Sequence, residues 1–185
     1  MKSIDELKKE HKAVLLTLAI LEQMCFKIAN NQQVDIKHID ELMEFLTIFV
    51  DKCHHGKEEK ILFPALEGRG VKNSGGPVGA MLSEHELGRG FVKGMKNASA
   101  QKTVMTENDL KIFSENALAY KKLLTLHIDK EDNVLYPMGE NVFSAEDDLR
   151  MLEAFEEIEK NEVGSGRHEQ FHDMLHKLKK IYLDK

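Results

Sequence analysis

The chain has 185 residues, of which 42% are apolar and 31% are charged, and its formal net charge is −6. This balance is typical of one soluble domain with a sizeable core, and the acidic charge argues against a nucleic-acid or anionic-membrane partner. The sequence also has no apolar run of about 20 residues, and its first residues lack the apolar stretch of a signal peptide, so we expect no leader peptide. Cys25 and Cys53 form no CxxC motif, so we expect reduced thiols in a cytoplasmic protein.

Helix signals recur along the chain and predict an all-α fold. Ser3-Ile4-Asp5-Glu6 indicates a capping box for a first helix that ends near Asn30, and a second helix begins at Asp35. We expect this second helix to end at about Pro64, and a third to extend from Pro77 to about 97–99. The fourth extends from Thr106 to about Pro137. A shorter fifth helix begins at Ser144, and Gly164-Ser165-Gly166 separates it from the last.

The lengths of these segments predict an up-down-up-down four-helix bundle. We assign the bundle to residues 1–140 and a C-terminal helical extension, packed on the bundle, to residues 141–185. The last predicted helix carries a stripe at His168, His172 and His176. Because apolar residues occupy an adjacent stripe, we interpret this helix as amphipathic and packed on the bundle, in preference to an extra metal site.

An eleven-residue segment occurs twice, at 54–64 and at 127–137. The shared pattern is His-x-x-Lys-Glu-acid-x-aliphatic-Leu-aromatic-Pro. A Glu-His pair precedes each copy by 43 or 42 residues, at 10–11 and at 84–85. The chain is therefore a two-fold repeat of a unit that carries two histidines and a carboxylate.

The repeat supplies six candidate metal ligands: His11, His54, Glu58, His85, His127 and Glu131. Each His-x-x-x-Glu pair lies on one helical face, and the bundle topology brings the four histidines to one height. Imidazole and carboxylate suit a first-row transition metal, and charged groups within an apolar stripe are costly unless they are paired or metal-bound. The ligand count favours two irons with bridging carboxylates over a closed four-ligand zinc site.

His55 and Glu59 form a competing pair with the same spacing. The face upstream of His55 carries charged residues that belong in water, and the repeat has Ile128 at the equivalent position. We therefore select the register of His54, and interpret His55 as a surface residue in preference to a group that contacts a ligand.

Other polar residues near the repeat have two interpretations each. Arg89, one turn after His85, either bonds a ligating carboxylate or limits access to the centre, or else it faces solvent. Glu10 and Glu84 either orient a ligand on a neighbouring helix or are ordinary surface glutamates, and we prefer the second. Tyr120 lies on the inward stripe, where core packing is the preferred role.

The repeated segments 54–64 and 127–137, with their Glu-His pairs, resemble the hemerythrin-like HHE cation-binding family over about residues 1–140. The resemblance implies a four-helix bundle around a non-heme di-iron centre with an oxo or hydroxo bridge, in which the six candidates are the ligands. Glu58 and Glu131 would be the bridging carboxylates. Zinc or manganese could substitute for the two irons.

Respiratory hemerythrins carry a fifth histidine on the third helix, whereas this chain has Arg89 four residues after His85. The resemblance therefore implies a more symmetric centre that is similar to those of iron–sulfur-cluster repair proteins and iron-sensing domains. We expect a small ligand, O2, NO or peroxide, bound for sensing, scavenging or storage. The alternatives are an enzyme with peroxidase- or NO-reductase-like activity and an iron donor in cluster repair.

Overall fold

A computed structural model describes residues 1–164 and 166–184, and these residues form helices without any strand. The all-α prediction is confirmed. Ser165, part of the predicted Gly-Ser-Gly break, lies outside the described residues. The helices are α1 (Lys2–Ala29), α2 (36–68), α3 (Pro77–Ser99), α4 (107–142), α5 (145–163) and α6 (Arg167–Tyr182). Helices α1 to α4 form the predicted up-down-up-down bundle, and α4 continues one turn beyond its predicted end.

Three of these helices change from α-helical to π-helical turns part of the way along. The π-helical stretches are Leu46–His55 and Glu58–Leu62 in α2, Glu131–Leu135 in α4, and Glu159–Val163 in α5. A π turn closes its hydrogen bond over one residue more than an α turn, so it changes which side chains face inward. Such turns frequently mark functional sites, and the stretches in α2 and α4 coincide with the repeated segment.

The predicted helix starts follow the local sequence, except that of α1. Thr106 and Ser144 begin α4 and α5 as predicted, and each forms a reciprocal capping box. The capping box predicted at Ser3 is wrong, because α1 already begins at Lys2 and Ser3 is buried. Asp148 of α5 takes the role of the cap instead. Its carboxylate accepts the backbone N–H groups of Lys2 and Ser3 at 3.0 Å each, and the Ser3 hydroxyl at 2.6 Å.

The candidate ligands lie in a polar layer between two apolar clusters. On α1, His11 separates Leu7 of the smaller cluster from Val14 of the larger one. On α4, Glu131 lies between Ile128 and Leu135 in the same way. Each side chain of this layer is at most 3% exposed, so the layer is shielded from solvent. Its members are His11, His54, His55, Glu58, His85, His127 and Glu131.

The last two helices pack on this bundle and complete its clusters. Phe155 of α5 belongs to the smaller cluster, and Phe171, Leu175 and Leu178 of α6 belong to the larger one. The prediction of an amphipathic last helix is confirmed, while the division of the chain at residue 140 stays a prediction. None of the helices in the described part of the chain is long and apolar enough to cross a membrane.

Candidate metal centre

Four helices deliver the polar side chains to one layer. The π-helical stretch Leu46–His55 ends at the two adjacent histidines of α2, and both are buried, with exposed fractions of 2% for His54 and 3% for His55. The preference for a surface position at His55 is therefore wrong. It assumed an α-helical period of 3.6 residues, and the wider π turns bring both histidines to the interior.

Among the described residues, the layer contains two overlapping groups whose ligand atoms lie within 4.8 Å of one another. The first group consists of His11, His54, Glu58 and Glu131, and the second of His55, Glu58, His85 and His127. All six sequence-predicted ligands are thus brought together, and His55 joins them. Glu58 belongs to both groups, which places one carboxylate between two histidine sets.

Glu58 lies between one histidine of each group. Its Oε2 is 3.7 Å from Nε2 of His54 and 3.4 Å from Nε2 of His85. Its Oε1 accepts a hydrogen bond of 2.7 Å from the hydroxyl of Tyr136, a residue for which the sequence analysis made no prediction. The sequence contained a signal for this role, because the aromatic position of the repeat is Phe63 in the first copy and Tyr136, which has a hydroxyl, in the second.

Glu131 occupies the symmetric position and contacts the other histidine of each group. Its Oε2 is 3.2 Å from Nε2 of His11, and its Oε1 is 3.0 Å from Nε2 of His127. The two carboxylates therefore connect the two groups in the same way, as the two-fold repeat predicts. This is the arrangement that lets carboxylates bridge two metal ions.

The donor set fits transition-metal ions. Within the described residues, Oε2 of Glu58 and both carboxylate oxygens of Glu131 are buried without a hydrogen-bond partner. Buried carboxylate oxygens are costly unless a cation or a donor compensates them. The Nε2 atoms of His85 and His127 also lie only 3.0 Å apart, so both can contact one ion.

A carboxylate holds the outer nitrogen of every predicted histidine ligand. The four Nδ1–carboxylate pairs are His11 with Asp132 at 2.9 Å, His54 with Glu10 at 2.7 Å, His85 with Glu59 at 2.7 Å and His127 with Glu84 at 2.9 Å. If Nδ1–H donates to the carboxylate, the lone pair of Nε2 is left free toward the centre, which is the tautomer that a metal ligand needs. The repeat thus encodes the orientation of its histidines as well as the histidines themselves.

The preference for Glu10 and Glu84 as surface residues is wrong. Each lies about 100° around its helix from the neighbouring histidine, and it reaches a histidine of the next helix. The repeated lysines pair with these same glutamates: Lys57 bonds Glu10 at 2.6 Å, and Lys130 bonds Glu84. No role for these lysines was predicted, although their recurrence at the same position of both repeats indicated a shared contact.

Arg89 bonds carboxylates that are not predicted ligands. Its guanidinium donates to Asp51 at 2.7 Å and to Glu59 at 2.8 Å. Burial by itself raises the pKa of Glu59, but the hydrogen bonds from His85 and Arg89 outweigh it, so that this pKa is lowered. Arg89 therefore keeps Glu59 ionised and in place to orient His85.

Burial and neighbouring charges move the pKa values of the two central carboxyls in opposite directions. Burial, followed by the charge of Glu131, raises the pKa of Glu58 well above its ordinary value. Burial also acts to raise the pKa of Glu131, but the neighbouring His127 and His11 hold it well below its usual range. Burial alone would lower the pKa of His11, and the hydrogen bond to Asp132, together with the charge of the nearby Glu131, instead raises it to about 9.

A pocket of about 350 Å³ lies beside the second group, and His55 is the member of that group that lines it. Asp51 of α2 also lines the pocket, together with Lys93 and Lys96 of α3, which are exposed. Tyr120 of α4 also lines it and is otherwise buried in the core, as predicted.

The histidine stripe of α6 does not form a site of its own. His172 and His176 are exposed, and His168 lies near Cys53 and Glu159 instead. The ammonium group of Lys57 already contacts Glu159 at 2.5 Å, so a cation is present there.

Fold and site together define a helical-bundle protein with buried histidine and carboxylate groups that are compatible with metal ions. The family model described as the hemerythrin HHE cation binding domain matches residues 2–139. The chain therefore belongs to this family, as its resemblance predicted.

The chain is similar in sequence to proteins of two mycobacteria. Uncharacterized proteins of Mycobacterium tuberculosis and Mycobacterium bovis are 22% identical to the chain over 162 residues. The alignment covers 88% of this chain and 63% of each relative, so the chain spans less than two thirds of their length. No solved structure matches the chain significantly.

Proposed function

We propose that the chain holds two iron ions, bridged by Glu58 and Glu131, and binds a small molecule such as O2, NO or peroxide for sensing, scavenging or storage. The observation that carries this proposal is that each carboxylate contacts one histidine of each group. Iron would supply redox chemistry and coordination positions that the protein leaves open. The family to which the chain belongs is described as cation-binding. The choice of iron and the identity of the small molecule are part of the proposal.

The residues around the centre support binding of a small molecule. The carboxylates on Nδ1 keep four imidazoles in one orientation, so the donor atoms are preorganised. The pocket next to His55 brings solvent to the edge of the layer, and apolar clusters on both sides exclude bulk water. We also propose a cytoplasmic location, supported by the free, buried thiols of Cys25 and Cys53, and no nucleic-acid or membrane partner.

A second candidate is an enzyme with peroxidase- or NO-reductase-like turnover. Tyr136 favours it, because its hydroxyl lies 2.7 Å from Glu58 Oε1 and 3.4 Å from Nε2 of His11. Burial, together with the nearby Glu58 and Glu131, raises the pKa of Tyr136 well above its usual value. The phenol therefore keeps its proton, and it can turn this single O–H from Glu58 to a molecule bound on that side.

Anaerobic reconstitution with ferrous iron separates the candidates. Spectra are followed after addition of O2, NO or peroxide, and iron transfer to a protein that lacks its iron–sulfur cluster is measured in parallel. A stable and reversible adduct supports binding, sustained consumption supports an enzyme, and iron transfer supports cluster repair.

Substitutions test the ligand set itself. His54→Ala and Glu131→Ala should each lose most of the bound iron, while His172→Ala, an exposed histidine outside the groups, should bind iron as the wild type does. Full iron content in the first two variants would contradict the proposed centre.

A further inference from the structure

His55 is a buried histidine without a hydrogen-bond partner. The residue is 3% exposed, and within the described residues neither ring nitrogen makes a hydrogen bond. The four predicted histidine ligands differ, since each has its Nδ1 bonded to a carboxylate at 2.7–2.9 Å. Buried polar atoms in native proteins are normally paired, so the two nitrogens of His55 indicate a missing partner.

The position of His55 indicates what this partner is. One of its ring nitrogens lies within 4.8 Å of ligand atoms of Glu58, His85 and His127. Its ring is stacked on that of His85, with the centroids 3.8 Å apart and the planes 16° from parallel. The nearest carboxylate, that of Asp51, is 3.7 Å from Nδ1, which leaves Nε2 on the other side of the ring.

This arrangement is a looser copy of the one at the other histidines. There, a carboxylate fixes Nδ1 and Nε2 is directed at the centre. Here, Arg89 fixes Asp51 through a hydrogen bond of 2.7 Å, and Asp51 faces Nδ1 of His55. Asp51 thus occupies, at 3.7 Å from Nδ1, the place that a bonded carboxylate has at the other histidines.

The repeat shows that this histidine exists on one side of the centre only. The residue equivalent to His55 is Ile128, which is 4% exposed and packs in the larger apolar cluster. The two groups that are otherwise related by the repeat are therefore chemically unequal, with a nitrogen donor on one side and an aliphatic group on the other.

We propose that His55 is a fifth histidine ligand, supplied by α2 to the second metal position. The centre would then have three histidines at the second position (His55, His85 and His127) and two at the first (His11 and His54). This inference rests on the proposed di-metal centre. Because His55 is the member of the two groups that lines the 350 Å³ pocket, it is also the ligand that a solute entering this pocket meets first.

The test uses Co²⁺, whose visible absorption reports both the number of bound ions and their ligands. His55→Ala should lower the affinity for one of two Co²⁺ ions by at least about 100-fold, because even residues behind a ligand contribute roughly 10–100-fold. Added imidazole should restore binding, because it can enter through the pocket and occupy the space left by the side chain. His54→Ala is the control for rescue, since His54 does not line the pocket.

His55→Ile reproduces the residue of the other repeat and keeps the interior filled. It should fold as the wild type does in circular dichroism, lose the same affinity as His55→Ala, and not respond to imidazole. If both variants bind two Co²⁺ ions with wild-type affinity and spectrum, His55 is not a ligand. If the wild-type protein itself binds fewer than two ions, the proposed di-metal centre fails instead, so the two failures are distinguishable.

Discussion

The two repeated lysines allow a matched test, because the same position of the repeat is buried in one copy and exposed in the other. Lys57 is fully buried, and its ammonium contacts the carboxylates of Glu6, Glu10 and Glu159 at 2.7, 2.6 and 2.5 Å. Lys130 is 42% exposed and pairs with Glu84 alone among the described carboxylates. We predict that Lys57→Met destabilises the protein far more than Lys130→Met does.

The size of each loss in stability depends on how deeply the carboxylate that loses its lysine is buried. Removing one member of a buried ion pair costs about 3–5 kcal/mol, because a buried charge loses its partner. Glu6 and Glu159 are about one-third exposed and can turn to water, whereas Glu10 is 7% exposed. We therefore expect the lower end, about 3 kcal/mol, for Lys57→Met. The exposed pair at Lys130 should contribute about 0–1 kcal/mol.

Urea unfolding of the metal-free protein, followed by circular dichroism, measures both values. Adding Glu10→Gln to Lys57→Met should recover part of the lost stability, because no buried charge then lacks a partner and the amide still accepts from His54. Equal losses for the two lysine variants, or no loss for Lys57→Met, would refute the reasoning.

Three further predictions follow from single contacts. Tyr136→Phe should lower iron affinity about tenfold at unchanged stoichiometry, measured by competition with a chelator, because Glu58 loses a hydrogen bond; unchanged affinity would contradict it. Asp148→Ala should destabilise the protein by about 1 kcal/mol in urea, because the first turn of α1 loses its cap, and a neutral effect would show that water replaces the carboxylate. Burial raises the pKa of Cys25 to about 11 and of Cys53 to about 12. Native thiols should therefore resist iodoacetamide at pH 8, and stability should fall as the pH rises above about 9, where the unfolded thiols ionise first; rapid alkylation of the folded protein would contradict both statements.

The sequence predicted the features that depend on local spacing. The i, i+4 pairs His54–Glu58 and His127–Glu131 and the apolar stripes define helical faces, so the fold and the meeting of the predicted ligands follow from periodicity. The start of α4 at Thr106 likewise depends on residues three positions apart.

What the sequence did not predict depends on contacts between helices. The partner of Glu10 is a histidine on α2, and the cap of Ser3 is Asp148 of α5, so neither is visible in local spacing. The inward position of His55 requires π turns in α2, and these turns have no simple pattern of residue types. Counting with an α-helical period therefore assigned His55 to the surface.

X-ray absorption at the iron edge tests the central claim, two metal ions bridged by Glu58 and Glu131, most directly. The iron-loaded protein should contain two irons per chain and show a metal–metal distance of about 3.5–4 Å or less, as in other two-metal sites. One iron per chain, or two irons without a metal–metal signal, would contradict the bridged centre.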